Sequence, residues 1–316
     1  MAKMTISGLQ TFVQSYVDAQ KQADPEFKLT TENLYDLADK VGKQVSLDGL
    51  VEDKLPEFDG EDLPLGKTIE EYFADFILPS DYDPTGANTL APSNITTEAP
   101  AYSYSLGRKK IKTTVPYDNV ERAAINSMEA ANMITKITER LYQSEALYKY
   151  NQKKQLLGNF IGKAITKNLK TELAKPVDTA TCEAFIQSVK EAVEDASFAA
   201  ENHSIAGCLT GAAPSLTLYV KKGIIPAIQV QTLAKTFNSE ELAMPVTVKV
   251  LDDFGNADST VYAVLLDPRG IKLHNGYRAV RTQENADGDF VNFVLHSENT
   301  GFTSNFTYIN VFKSAA

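Results

Sequence analysis

The sequence predicts an α+β protein, in which the main helices and strands occupy different parts of the chain. A helical pattern runs without proline from Asp118 to about Lys170. After about residue 200, β-patterned runs separated by Gly, Asn and Asp turns dominate, and they do not form βαβ units. We divide the chain into an N-terminal arm, an extended hairpin, a long helix, an α+β domain and closing strands, at 1–100, 101–117, 118–177, 178–274 and 275–316.

The first hundred residues combine short helical patterns with acidic, proline-containing connectors. Apolar residues recur at helical spacing after Ile6 and again after Thr31. A third helix is predicted to open on Thr68-Ile-Glu-Glu71, which has the pattern of a capping box. Residues 79–100 contain four prolines and no apolar periodicity. We expect an arm with an irregular linker, because so long an irregular stretch is uncommon inside a compact domain.

Residues 101–117, AYSYSLGRKKIKTTVPY, have the alternation of a two-stranded hairpin. Its bend is predicted at Gly107, with a positive φ. An isolated hairpin is only marginally stable in water, so it needs a surface on which to lie. The aromatic and basic side chains that the hairpin offers to such a surface are Tyr102, Tyr104, Arg108, Lys109, Lys110, Lys112 and Tyr117.

The long helix is predicted to act as a spine, because the sequence offers no second long helix to pair with it. Its apolar positions are Ile125, Met128, Ile134, Ile137, Leu141 and Leu147. A break is predicted near Gly158 and Gly162. The rest of the chain, residues 178–316, contains an amphipathic helix at about 180–200, a second helix in IIPAIQVQTLAKTF, and six strands. The predicted strands are SLTLYV, PVTVKVL, VYAVLLD, GYRAVRT, DFVNFVLH and NFTYINVF.

Charge is unevenly distributed along the chain, whose formal net charge is −10. Residues 1–100 contain 7 Lys and Arg against 19 Asp and Glu, whereas residues 101–180 contain 14 against 7. Such asymmetry suggests that the acidic front and the basic middle meet, within one molecule or between copies. Solvated helix faces that segregate by charge are the alternative. Net acidity argues against direct nucleic-acid binding.

The residues that nucleophilic or metal chemistry requires are sparse. The three histidines, His203, His274 and His296, lie in no catalytic motif, and core or turn positions explain them. GNFIGKAI departs from a phosphate-binding loop, and the aspartates of DDFGNAD and NADGD miss the spacing of a calcium loop, although a weak surface calcium site stays open. We expect no catalytic residues, no metal and no cofactor, hence no enzyme.

The order of these parts resembles the major capsid proteins of tailed bacteriophages with the Hong Kong 97-like fold. VYAVLLDPRGIKLHNGYRAVRTQENADGDFVNFVLHSENTGF is similar to the segment of those proteins that leads into their closing strands. LTLYVKKGIIPAI resembles a strand and helix of their axial domain. The resemblance implies an N-terminal arm, an extended loop at 101–117, a spine helix in a peripheral domain, and an axial domain at 178–274, with residues 275–316 returning to the peripheral domain.

The resemblance also implies a structural role in an icosahedral shell that encloses double-stranded DNA without sequence-specific binding. The partners would be copies of this chain in pentamers and hexamers, together with a portal. The aromatic and basic side chains of the loop at 101–117 would contact a neighbouring copy. A separate scaffolding protein is expected, because the loop begins near residue 100 and leaves little room for a cleaved scaffold segment. The location would be the virion, after synthesis in the host cytoplasm, with no membrane association. Some family members cross-link a loop lysine, for which Lys109, Lys110 and Lys112 are candidates.

Two other functions stay open. An encapsulin-type protein nanocompartment would share the fold but enclose cargo enzymes. A soluble binding module or enzyme, in which the long helix connects two domains, would belong to a different class. A monomer that forms no particles would favour the second alternative.

Overall fold

The computed structural model describes most of the chain after residue 126 and selected segments before it. The described residues are 15, 53–63, 69–74, 76, 79, 97–98, 101–102, 105–116, 127–213, 215–233, 246–285 and 287–314. The two helices predicted within residues 1–52 and most of the irregular stretch 79–100 lie outside the described residues. Tyr104, Tyr117 and the predicted start of the long helix at Asp118 lie outside them too.

A five-stranded mixed sheet forms the centre of the molecule, with strand order β6-β12-β9-β7-β8. Its strands are β6 (Lys170–Glu172), β7 (Thr217–Lys221), β8 (Thr247–Leu251), β9 (Val261–Leu266) and β12 (Ile309–Lys313). All six residues of the central strand β9 are buried. This matches a sheet that is covered on both faces, where a strand reads as a continuous apolar run.

Helices cover the two faces of this sheet. The C-terminal half of α1 (Ser127–Thr166) buries Leu156, Leu157 and Phe160 in a core on one face. On the other face, α2 (Thr179–Asp195) and α3 (Ile224–Leu233) form a second core around Phe185. Helix α2 begins with a capping box between Asp178 and Thr181, which satisfies two backbone donors of its first turn.

A second sheet of three long antiparallel strands packs along α1. Its order is β10-β11-β5, with β5 at Ser105–Pro116, β10 at Ile271–Asn285 and β11 at Phe290–Thr303. The interface with the helix is partly polar. Ser297 donates a hydrogen bond to Glu145 at 3.1 Å, and Asn299 donates one to Gln152 at 2.7 Å. Residues 297 and 299 of β11 therefore face the helix.

Two short strand pairs lie before the three-stranded sheet in sequence. Strand β1 (Ile69–Glu70) pairs with β4 (Ala101–Tyr102), and β2 (Phe73–Ala74) pairs with β3 (Thr97–Glu98), both antiparallel. Residues 75–96 connect them. The prediction of a third helix opening on Thr68 is therefore wrong, because Ile69 and Glu70 pair with a distant strand, an option that local sequence cannot reveal.

Residues 53–63 form a docked segment that completes the core beside α1. Leu55 and Phe58 are fully buried there. The ammonium group of Lys153, itself 1% exposed, pairs with Asp53 and, at 2.7 Å, with Asp59. The acidic front and the basic middle of the chain thus meet within one molecule at this point.

Three further predictions about these elements need correction. Helix α1 continues through Gly158 and Gly162 without a break. Gly158 allows close packing instead of breaking the helix, because a Cβ at this position would lie 2.5 Å from the carbonyl oxygen of Phe254. Leu147 is 50% exposed instead of lying on the buried stripe.

The last boundary also differs from the prediction. The division at 274/275 falls inside β10, and β12 pairs with β9 and β6 in the five-stranded sheet instead of lying beside β10 and β11. The predicted helices at 180–200 and from Ile224, and the strands of the α+β domain, are confirmed to within a few residues at the described positions. Among the described residues no helix is both long and apolar enough to cross a bilayer.

Candidate assembly surface

Residues 105–116 form one continuous strand, so the prediction of a hairpin bent at Gly107 is wrong. Strand β5 pairs antiparallel with β11 from Arg108 to Pro116. Gly107 does have the predicted positive φ, at +75°. The conformation serves a β-bulge, because Leu106 and Gly107 both lie opposite Asn299 where the register shifts. A glycine with positive φ signals either a turn or a bulge, and the long-range pairing selects the bulge.

The pairing register sorts the basic residues of β5 between the two faces of the sheet. Lys109 lies opposite Ser297, on the face toward α1. Arg108, Lys110 and Lys112 lie opposite Glu298, His296 and Val294, on the other face. From β10, Tyr277 and Arg281 share that second face. We call this second face the basic sheet face; its members are Arg108, Lys110, Lys112, Tyr277, Arg281, His296 and Glu298.

Two lysines of the basic sheet face, Lys110 and Lys112, have no carboxylate partner among the described residues. Arg108 donates to Glu298 at 3.1 Å and lies 4.4 Å from the ring centre of Tyr277. The ammonium group of Lys112 lies 6.0 Å from the ring centre of Phe290. Glu298 is the one carboxylate in this set, against four cations. Strand β5 is also an edge strand, where lysines protect against unwanted strand pairing.

The segment between the two short strand pairs has the opposite charge, and we call residues 69–102, strand pairs included, the acidic arm. It contains six acidic residues and no Lys or Arg: Glu70, Glu71, Asp75, Asp81, Asp83 and Glu98. Phe73 stacks on Phe306 at 4.7 Å, and Ser304 donates to Glu71 at 2.5 Å, so the base of the arm is fixed to the body. Tyr72, between them in sequence, is 76% exposed.

The structure therefore separates the predicted contact residues into two surfaces. Tyr102 belongs to the acidic arm, opposite Ile69, whereas Arg108, Lys110 and Lys112 belong to the basic sheet face. Sequence reasoning missed Tyr277 and Arg281 as members of this face. Their alternation in GYRAVRT gives a signal for one face of a strand. The strand that aligns them with β5 is β11, and its Glu298 lies 190 positions from Arg108 in sequence.

Two of the three histidines and two aspartates of DDFGNAD have structural partners. His203 is 3% exposed, contacts Asp195 at 3.1 Å and packs edge-on against Tyr308. The Nδ1 atom of His274 lies 2.8 Å from the carbonyl oxygen of Glu61. Asp252 and Asp253 both accept from Lys154, at 2.7 and 3.0 Å, so an ammonium group lies between them. The described residues contain no cluster of three His, Cys, Asp or Glu side chains that could hold a metal.

The structure superposes on the capsid structure of Staphylococcus phage Andhra with a TM-score of 0.61, covering 85% of this chain and 86% of that one at 12% identity. At that identity the likeness establishes the α+β capsid fold.

The chain belongs to the Phi29-like phage major capsid protein family, which it matches over residues 13–313. It is 22% identical over 264 residues to the major capsid protein of Bacillus phage PZA, which covers 82% of this chain and 58% of that protein. The match to the major capsid protein of Bacillus phage B103 covers 84% and 59% at the same identity. The chain spans about three fifths of the length of the curated relatives it matches.

Proposed function

We propose that this protein is the building block of an icosahedral shell that encloses the double-stranded DNA of a tailed phage. The single observation that supports this most is that one chain carries both an acidic arm and a basic sheet face. A shell of identical copies needs such heterologous surfaces, because each copy must present one surface to its neighbour and receive the other. Membership of the phage capsid family favours this function over a cellular nanocompartment.

In the proposed shell, the acidic arm of one copy lies over the basic sheet face of its neighbour. The arm carries six carboxylates, and the face offers Lys110 and Lys112 as cations without a described carboxylate partner. Exposed ion pairs contribute only about 0–1 kcal/mol each. Charge complementarity therefore gives specificity and speed of association. The exposed Tyr72 supplies part of the area buried between copies, since Tyr is favoured at interfaces.

The architecture suits a Hong Kong 97-like arrangement. The five-stranded sheet with α2 and α3 would be the axial domain, surrounding the symmetry axes of pentamers and hexamers. Helix α1 and the three-stranded sheet would be the peripheral domain. A portal and a separate scaffolding protein complete the proposed set of partners. The proposed location is the virion, after synthesis in the host cytoplasm, and the proposed role is structural and not enzymatic.

The test is particle formation by the full chain with charge reversals on the two faces of one strand. Lys110→Glu with Lys112→Glu changes the basic sheet face, and Lys109→Glu, at a neighbouring exposed position on the opposite face, is the control. We expect wild type and Lys109→Glu to form particles visible by electron microscopy. The double variant should keep its circular dichroism spectrum and form few particles, because the neighbour's acidic arm is repelled.

A second exchange tests the pairing itself. Asp81→Lys with Asp83→Lys in the arm should restore particles to the Lys110→Glu, Lys112→Glu variant, since the charges are then swapped between partners. Normal particles from the double variant alone would contradict the proposed contact. A wild-type chain that stays monomeric under all assembly conditions would contradict the shell function.

A further inference from the structure

The solvent-exposed ridge of α1 has an unusual composition for so acidic a chain. Between residues 136 and 167 the exposed positions recur every three or four residues, over about 45 Å at 1.5 Å per residue. None of them is Asp or Glu, although the whole chain has 41 acidic against 31 basic residues. We call these positions the α1 ridge: Lys136, Arg140, Ser144, Leu147, Asn151, Gln155, Asn159, Gly162, Lys163, Thr166 and Lys167.

The carboxylates near the α1 ridge are turned away from it or paired. Glu145 is 3% exposed and bonds Arg278 at 2.7 Å, and half-buried Glu139 accepts from Gln143 at 2.8 Å. The aspartates beside the middle of the helix pair with Lys153 and Lys154. Beside the middle of the helix four aspartates thus face two ammonium groups. Positive charge on the ridge is therefore confined to its two ends, at Lys136, Arg140, Lys163 and Lys167.

The opposite face of the five-stranded sheet has the opposite charge. There, the exposed positions of α2 include four acidic residues and one basic residue, which are Glu183, Glu191, Glu194, Asp195 and Lys190. Helix α2 belongs to the core on one face of the sheet, and the C-terminal half of α1 belongs to the core on the other. The exposed positions of α2 are therefore rich in acidic residues, whereas the α1 ridge itself contains none.

We propose that the α1 ridge is the surface that contacts the phosphate backbone of packaged nucleic acid. Ammonium and guanidinium groups at the ridge ends can pair with phosphate oxygens, and the amides of Asn151, Gln155 and Asn159 can donate hydrogen bonds to them. Such contacts carry no sequence information. With about four cations per copy, binding by one copy is weak and salt-dependent, and it becomes significant through repetition over the shell. This inference rests on the proposed shell function for its biological setting.

The experiment uses the full-length chain at concentrations below assembly, with short random-sequence duplex DNA as the probe. The ridge variant is Lys136→Gln, Arg140→Gln, Lys167→Gln; Lys163 is left intact because it donates to Thr303. The control variant is Lys175→Gln, Lys190→Gln, Lys222→Gln, which removes the same charge from exposed positions off the ridge. The affinity is measured as a function of salt concentration.

We expect the ridge variant to bind DNA at least tenfold more weakly than wild type at low salt. The slope of log affinity against log salt concentration should fall in magnitude by about 2 to 3, because each lost phosphate contact contributes about 0.9. The control variant should match wild type. Equal losses in both variants would overturn the inference, because they would show a response to net charge alone. Ridge-dependent binding of polyglutamate in preference to DNA would also overturn it and would identify an acidic protein as the partner.

The same preparations separate this inference from the shell function. Particle formation is scored by electron microscopy after the concentration is raised. If wild type forms no particles but the ridge variant still binds DNA more weakly than wild type, the shell function is contradicted and the inference about the ridge stands. If all three proteins form particles and the ridge variant binds DNA like wild type, the inference about the ridge is contradicted and the shell function stands.

Discussion

Gly158 and Gly162 lie four positions apart on α1, yet their surroundings differ. A Cβ at Gly158 would lie 2.5 Å from the carbonyl oxygen of Phe254 and 2.7 Å from the backbone nitrogen of Asn256, whereas a Cβ at Gly162 would meet nothing within 4 Å. At Gly158 the backbone of another segment approaches the helix closely. The glycine is required there by tertiary packing.

We predict that Gly158→Ala and Gly162→Ala change stability in opposite directions. Gly158→Ala should lower the free energy of unfolding by about 1–3 kcal/mol, because the contacting atoms are backbone and cannot rotate away. Gly162→Ala should raise it by up to about 1 kcal/mol, since alanine favours the helix. Urea denaturation followed by circular dichroism measures both values. Equal effects of the two substitutions would contradict the packing role of Gly158.

Asp252 lies in a hydrogen-bonded cluster that lowers the pKa of its carboxyl group. Partial burial by itself raises its pKa, but hydrogen bonds from Lys154 and Tyr150 outweigh burial and lower the pKa from 3.8 to about 2. The native state therefore favours the ionised form. The stabilisation is fully present above about pH 4 and is lost as the pH falls through 2.

We predict that Asp252→Asn lowers the free energy of unfolding at pH 5 by about 1 kcal/mol, a value reduced by solvent screening of a half-exposed group. The difference from wild type should shrink as the pH is lowered to 2, because wild-type Asp252 is then protonated. Asp287→Asn, at an exposed turn, is the control and should show no such trend. A difference that is constant from pH 5 to pH 2 would be evidence against ionic stabilisation by Asp252.

At the scale of elements, the bulge at Gly107 determines how β5 continues along β11. The backbone there has φ +75°, a conformation that costs a residue with a branched side chain about 1–2 kcal/mol. Since Arg108 follows directly, the bulge also places Arg108, Lys110 and Lys112 on the face away from α1.

We predict that Gly107→Val destabilises the protein by about 1–2 kcal/mol and increases amide hydrogen exchange in β5 near the bulge. Gly107→Asn should have a smaller effect, because Asn tolerates positive φ better than Val. Thermal unfolding and hydrogen exchange detected by mass spectrometry measure the two responses. If both variants exchange like wild type, the conformation at residue 107 does not control the pairing of β5.

Helix α1 shows how one element can have two kinds of packing. Its C-terminal half lies in an apolar core with Leu156, Leu157 and Phe160, whereas its middle contacts β11 through Glu145 and Gln152. The apolar positions Leu141 and Leu147 predicted part of this pattern, but Leu147 is exposed. The buried polar residues were missed because polar side chains at helical spacing are normally expected on the solvent side.

At the scale of the whole molecule, the segment 53–63 joins the acidic N-terminal region to the body. Phe58 is fully buried and lies 5.5 Å, centre to centre, from the ring of Tyr219. The carboxylate of Glu57 accepts from Tyr219 at 2.5 Å and pairs with Lys249. A segment that reads as an acidic connector therefore contributes to the main core.

We predict that Phe58→Ala lowers the free energy of unfolding by about 3–5 kcal/mol, the usual cost of a large cavity. Phe198→Ala, at a side chain that is 63% exposed, is the matched control and should stay within about 0.5 kcal/mol of wild type. Chemical denaturation measures both. A small effect at Phe58 would show that the docked segment is not part of the cooperative core.

Local patterns determined those elements whose contacts are nearby in sequence or whose composition is extreme. The strand VYAVLL follows from an apolar run, and the helix Thr179–Asp195 follows from the amphipathic pattern at about 180–200. The prediction of a helix opening on Thr68 failed because the strands at 69–74 and 97–102 are short and depend on each other. No local signal distinguishes a Gly-containing strand with a bulge from a hairpin of the same alternation.

The sequence by itself determined the α+β class, the long helix, the strands of the central sheet and the opposite charges of the two parts of the chain, because periodicity, composition and charge are local properties. Tertiary structure alone decided which surface bears which charge. The register of β5 against β11 places three cations on one face, and pairing across 30 positions makes the acidic segment the arm. Pairing between distant strands is set by packing over the whole fold.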